Sequence, residues 1–242
     1  MSLLFRRKKA RPAESLRTDI HSHLLPGLDD GVENYDESIE IIAGFRELGY
    51  GKLIITPHVM GDYYQNSPQD IRTKTEELRQ ILKSQNIEMH IECAAEYYMD
   101  EQFMHKLESD AEILSFGDRF ILFETSFLNQ PAYLSDAIFK INSLGFKPVM
   151  AHPERYLYLN HKQDLITDIA ERGVYFQVNL NSLSGHYSIP VKNMANKLIN
   201  KGMVHFLGSD CHHRNHLEVL RKSIQTKLYL KALSLDLLNY SV

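Results

Sequence analysis

Residues 18–31 read T-D-I-H-S-H-L-L-P-G-L-D-D-G, and the reading of this stretch decides the fold. A short run ends on His21 and His23. Residues i and i+2 of an extended chain face one side, so both imidazoles can reach one ion. The loop from Leu24 to Gly31 is tight, bounded by glycine, and holds the acidic pair Asp29 and Asp30. An HxH pair alone is a weak signal. Its weight comes from recurrence: His58 follows Thr56-Pro57, Glu96 and Glu124 each end an apolar run, His152 sits in A-H-P-E-R-Y (151–156), and Asp210 and His212 lie in G-S-D-C-H (208–212). A lone histidine in a strand is ordinarily a hydrogen-bonded core residue. Glutamates in apolar strands are harder to explain, since Glu is almost never fully buried unless paired or bound to a cation.

These residues close six of seven runs rich in Ile, Val and Phe: 18–22, 53–58, 90–96, 120–125, 147–152, 174–180 and 204–210. Such runs are expected of strands covered on both faces in a parallel sheet. The sixth closes instead on Gln177, Asn179 and Asn181. Helical spacing fills gaps between them: Ile71, Thr75, Leu78 and Leu82, opened by a capping-box-like Ser67-Pro68-Gln69-Asp70; Leu134, Ala137, Ile138 and Ile141, ending near Gly145; Val191, Met194, Ala195 and Leu198, ending near Gly202. Leu217, Leu220, Ile224 and Leu228 begin a final helical segment. Seven βα units without a dinucleotide glycine motif predict an α/β barrel whose working residues gather at the C-terminal strand ends.

The 242 residues suit one large domain, here expected over 18–242. A net charge of −4 gives no sign of nucleic-acid binding. Cys93 and Cys211 form no CxxC pair, and a reducing cytoplasm is the simplest setting. No apolar stretch reaches the roughly 18 residues of a membrane span. Residues 1–17 carry Arg6, Arg7, Lys8, Lys9, Arg11 and Arg17 against Glu14, without the apolar segment of a secretory signal. They are expected to form a flexible solvated extension; weak contact with anionic lipid, aided by Leu3, Leu4 and Phe5, is the sharper reading.

The motifs at 19–31, 56–58, 151–156 and 208–212, with Glu96 and Glu124, resemble the bacterial metal-dependent protein-tyrosine phosphatases of the polymerase-and-histidinol-phosphatase (PHP) superfamily, encoded with capsule and exopolysaccharide genes. The resemblance covers about residues 18–225. It implies a distorted seven-stranded (β/α) TIM-like barrel with two or three divalent ions. His21, His23, Glu96 and Asp210 would hold the first ion. Glu96 would bridge to a second on Glu124 and His152, and Asp30, His58 and His212 would hold a third. The basic extension has no inherited role, and the second phosphate-binding arginine expected after His212 finds only Arg214.

Carboxylate and imidazole donors favour Mn²⁺, while zinc or iron fits the same set. Clustered cations complement a phosphate monoester, and the expected step is direct attack by a metal-activated hydroxide without a phosphoenzyme. Arg155 would meet the phosphate, with Arg214 and His213 weaker candidates. His58 or Asp30 would protonate the leaving group only where its ion is absent or loosely held. Tyr63 and Tyr64 could stack on a substrate ring. A thiolate phosphatase needs C-x5-R, but Met99 and Leu217 stand where Cys93 and Cys211 would require arginine. An amidohydrolase-type barrel is similar to a pattern with lysine where this chain has Glu124. The expected substrate is phosphotyrosine in a partner protein, a bacterial tyrosine kinase. A small-molecule phosphomonoesterase of the histidinol-phosphatase type and a non-catalytic metal-stabilised binding module are the alternatives.

Overall fold

The computed structural model describes residues 15–242. Most of the basic extension lies outside the described residues, and so does the weak lipid contact expected of it. Packing begins before Thr18: Leu16 is buried, and the Arg17 carbonyl accepts from the amides of Gly51 and Lys52.

The described residues form nine strands and eight α-helices. They are β1 (Thr18–Asp19), β2 (Lys52–Ile55), β3 (His58–Val59), β4 (His90–Cys93), β5 (Glu96–Tyr98), β6 (Phe120–Glu124), β7 (Lys147–Ala151), β8 (Tyr175–Asn179) and β9 (Phe206–Gly208). Every paired strand is parallel, in one sheet ordered β1-β2-β4 and another ordered β3-β5-β6-β7-β8-β9. The second and third expected runs are thus each split in two, the second at Thr56-Pro57. Proline has no N–H to donate to a ladder. Hydrogen bonds nonetheless cross both breaks, from Ala94 N to Ile55 O (2.9 Å) and from Glu96 N to Pro57 O (3.0 Å). On the other side a parallel bridge joins Ser22 to Cys211, flanked by Asp210 N to His21 O (2.8 Å) and His23 N to Cys211 O (2.9 Å).

The helices are α1 (Tyr35–Glu47), α2 (Pro68–Ser84), α3 (Glu101–Glu108), α4 (Leu134–Ser143), α5 (Gln163–Glu171), α6 (Ile189–Asn200), α7 (Arg214–Ser223) and α8 (Lys227–Ala232). The capping box of α2 forms as expected: Ser67 Oγ accepts from Asp70 N, and the Asp70 carboxylate accepts from Ser67 N. The final helical segment is not continuous. It ends at Ser223 and restarts behind Thr226, whose hydroxyl accepts from Tyr229 N and caps α8.

Side-chain alternation divides the core. Ile54, Phe120, Leu122, Val149, Ala151 and Phe206 share one cluster with Ile20, Ala94 and Phe116. Their neighbours Leu53, Ile55, Ile121, Phe123, Met150 and Leu207 turn the other way and pack with the helices. Counting on in steps of two from the first set reaches Thr56 and His58, Glu96, Glu124, and Gly208 and Asp210. Polar residues therefore cap the inner cluster at its C-terminal end.

Asn239 ties the opposite end. Its Oδ1 accepts from Leu207 N (2.9 Å), and its Nδ2 donates to Leu207 O (2.8 Å) and Thr18 O (3.2 Å), joining the first and last strands. Asn239 is buried, so Asn239→Ala should destabilise the fold by about 2–3 kcal/mol. The expected result is a lower urea midpoint with unchanged slope; an unmoved midpoint would mean that water replaces the side chain.

Candidate metal centre

All nine metal-type residues converge, in four overlapping groups whose donor atoms lie within 4.8 Å of one another: His23, Asp30, His58 and His212; His21, His23 and Glu96; His21, His152 and Asp210; His58, Glu96 and Glu124. His21, His23 and Glu96 are fully buried, and Asp30 is the exposed member on the rim. The arrangement differs in detail from three separate sets, because His23 also faces the outer group and His58 also faces Glu124.

Two of the nine depend on unusual backbone. His152 (φ 33°) and Asp210 (φ 51°) lie in the left-handed region, which costs a non-glycine residue about 1–3 kcal/mol. Val149 and Ala151 face the inner cluster, so a regular strand would turn His152 outward. The left-handed turn instead carries Nε2 to within 3.0 Å of Glu96 Oε1. Close packing also restricts two glycines. A Cβ on Gly31 would lie 2.1 Å from His23 O, and one on Gly208 would lie 2.8 Å from the His21 Cβ.

Hydrogen bonds around the cluster fix how the imidazoles present themselves. His21 Nδ1 donates to Gln177 Oε1 (2.9 Å) and His23 Nδ1 to Asp29 Oδ2 (2.7 Å). Asp29 also accepts from His58 N and Gly31 N. With Nδ1 protonated, a neutral imidazole presents a lone pair on Nε2. The two Nε2 atoms are 3.2 Å apart, and they lie 3.1 and 3.4 Å from Glu96 Oε2 and each 3.5 Å from Asp210 Oδ1. Electron-rich atoms facing one another so closely need positive charge between them. Corners of a tetrahedron around an ion 2.0–2.1 Å away are separated by about 3.3–3.4 Å, close to these spacings. The residues present therefore fit a divalent cation.

Electrostatics point the same way. Burial opposes charge on His21, His23 and His58, yet the surrounding carboxylates hold all three above the ordinary imidazole value, His58 at about 9. Against their own burial, Glu96 and Asp210 are held well below the carboxylate range by neighbouring histidines. A divalent cation meets the demand for positive charge while leaving the Nε2 lone pairs free to coordinate. His212 goes the other way, to about 4, through burial and the nearby His23.

The surrounding residues are placed unevenly. Asn179 Nδ2 donates to Asp210 Oδ2 (2.6 Å) and Gln177 Nε2 to Asn179 Oδ1 (2.9 Å), so the sixth run orients ligands rather than supplying them. Asn181 donates to His216 O. Arg155 reaches Asp210 Oδ2 with Nη1 (2.9 Å). The Arg214 guanidinium is solvent-exposed and pairs with Glu40 of α1 at 2.6 Å, outside the cluster's contacts. His213 packs against His216. Tyr64 lies parallel to the His58 ring, centroids 5.7 Å apart, whereas Tyr63 is 77% exposed. Cys211 is buried and burial pushes its thiol up, the opposite of a thiolate nucleophile. Phe127 and Tyr187, which line the Arg155 guanidinium, carry no local sequence signal; Asp29 has one, its place beside Asp30. No helix among the described residues is long and apolar enough to cross a membrane.

Residues 17–227 match the profile of a family described as "Capsular polysaccharide synthesis, CpsB/CapC". The chain is similar to tyrosine-protein phosphatase YwqE of Bacillus subtilis, 30% identical over 195 residues that cover 80% of this chain and 76% of that one. It also resembles a solved structure from work on YwqE of Bacillus subtilis and CpsB of Streptococcus pneumoniae, described as unique metal-dependent tyrosine phosphatases (TM-score 0.77, 28% identity, 87% of this chain and 89% of that one). A zinc-, histidinol- and phosphate-bound histidinol phosphate phosphatase of Lactococcus lactis shares the fold (TM-score 0.54, 11% identity, 87% and 93%).

Proposed function

The chain belongs to the CpsB/CapC family of capsular polysaccharide synthesis, and from that premise we propose that it is a metal-dependent phosphatase acting on phosphotyrosine in a partner protein. The observation that carries this reading is the meeting of nine O and N donors with one arginine at a single rim. The partner we assign is a bacterial tyrosine kinase that regulates capsule or exopolysaccharide synthesis, met in the cytoplasm. Residues 18–242 act as one unit, and the Ser22–Cys211 bridge supports taking its strands as one distorted seven-stranded barrel.

His21, His23, Glu96 and Asp210 would hold one ion; Glu96, Glu124 and His152 a second; Asp30, His58 and His212 a third, with Mn²⁺ suited to this carboxylate-rich set. When bound, such ions polarise phosphoryl oxygens and acidify water. Arg155 binds and orients the phosphate through its free guanidinium edge, while Asp210 holds it charged. A tyrosyl phenolate has a reference pKa near about 10, so protonation of the leaving group contributes modestly. Asp30 and His58, with Oδ1 and Nε2 3.6 Å apart, are the pair assigned to that proton where the outermost ion is absent.

Metal-replete protein should turn over a phosphotyrosine peptide far faster than a phosphoserine peptide or histidinol phosphate. Chelation should abolish turnover, and Mn²⁺ should restore it. Ion binding at about 100 times Kd should also add about 2.7 kcal/mol, read as a rise of several degrees in Tm. Preference for histidinol phosphate would favour the small-molecule reading, and absent turnover with unchanged partner affinity after chelation would favour a binding module.

A further inference from the structure

The Arg155 guanidinium has three neighbours. Its Nη1 donates to Asp210 Oδ2, and its Cζ lies 4.4 Å from the Tyr187 ring centroid and 4.6 Å from the Phe127 ring centroid. Among the described residues Asp210 accepts its one hydrogen bond, so the remaining N–H groups are available at the rim. The two walls differ in how they are held. Tyr187 is anchored through its hydroxyl, which accepts from Asn179 Nδ2 (3.3 Å) and approaches Asp210 Oδ2 (3.5 Å). Phe127 stands on the turn after β6, where its carbonyl accepts from Leu157 N (2.7 Å) and its ring, 38% exposed, makes no polar contact.

We infer that Phe127 is a positioning residue: its ring packs on the Arg155 guanidinium beside Tyr187 and thereby restrains the plane in which the free N–H edge meets a phosphoryl group. The inference rests on the phosphatase reading and deepens it. Planar guanidinium groups recognise phosphate through paired donors, so a group free to rotate loses the pairing although its charge remains. Stacking supplies the restraint without consuming a donor, because the π-face attracts the cation and leaves every N–H free. Phe127 also lies 5.8 Å from the His152 ring, so a rival account is that it merely supports a metal ligand.

The test compares the full-length, metal-loaded protein with Phe127→Ala, Phe127→Leu and Phe127→Tyr, each alone and in an Arg155→Ala background. Affinity for inorganic phosphate is measured by calorimetry, steady-state kinetics with a phosphotyrosine peptide, and metal content by elemental analysis. Phe127→Ala should weaken phosphate binding and raise KM by about 5- to 20-fold, with a smaller change in kcat. Phe127→Tyr should restore both within about twofold, since it keeps the ring. Phe127→Leu keeps bulk without a π-face; it should remain impaired and covers the case in which the alanine variant does not fold. In the Arg155→Ala background the same changes should have almost no effect. An undiminished effect there, or a fall in metal content, overturns the inference. If wild-type protein binds phosphate through this pair but hydrolyses no phosphotyrosine, the positioning role stands and the phosphatase reading falls.

Discussion

Replacing Glu96 with glutamine is expected to lower phosphotyrosine turnover by at least about 10³-fold while leaving the protein folded. Glu96 Oε2 lies 3.1 Å from His21 Nε2, 3.4 Å from His23 Nε2 and 3.2 Å from His58 Nδ1, and Oε1 lies 3.0 Å from His152 Nε2. One buried carboxylate thus faces four of the five imidazoles, the position from which it would bridge two ions. An amide keeps the shape and can donate to an Nε2 lone pair, so the fold is expected to survive the change. It removes an anionic donor shared by two of the candidate groups, and metal content should fall with activity. The Tm rise on adding Mn²⁺ should shrink in parallel. Turnover within tenfold of wild type at full metal occupancy would remove Glu96 from the ligand set.

The legible part of this site follows from strand alternation. An apolar run that ends on a carboxylate or imidazole in the inward phase points that group past the C-terminal end of the inner cluster, and His58, Glu96 and Glu124 obey the rule. His152 and Asp210 were recognisable as motif members, but their left-handed backbone has no signature in residue type. The break between α7 and α8 is hidden for a related reason. Leu217, Leu220 and Leu228 all pack on the same core cluster, so the apolar period runs through a turn set by Thr226. Helices α1, α3 and α5 are harder to read from residue type. In α1 the close succession of Ile39, Ile41 and Ile42 blurs the helical period, and α3 spans only eight residues. Phe127 and Tyr187 are ordinary loop aromatics until the fold sets both against the Arg155 guanidinium.

Arg155→Ala is expected to reduce kcat/KM by about 10²-fold, the scale of losing a charge-assisted donor pair to a phosphoryl group. The metal cluster should survive, because Asn179 Nδ2 still donates to Asp210 Oδ2 at 2.6 Å and keeps that carboxylate oriented. Arg155→Lys should recover only part of the loss. An ammonium restores charge but offers no plane to pack against Phe127 and Tyr187 and no paired donors. Arg214 supplies the contrast. Its guanidinium pairs with Glu40 on the exposed surface of α1, an interaction worth little in water, so Arg214→Ala should change kcat/KM by less than about twofold. Steady-state kinetics on the three variants, with metal content measured for each, separate phosphate recognition from damage to the cluster. Equal losses in Arg155→Ala and Arg214→Ala would mean that phosphate is gripped from both sides of the rim and that the Glu40 pair opens to admit it. A loss in Arg155→Ala that tracks metal content would instead reduce the arginine to a partner of Asp210.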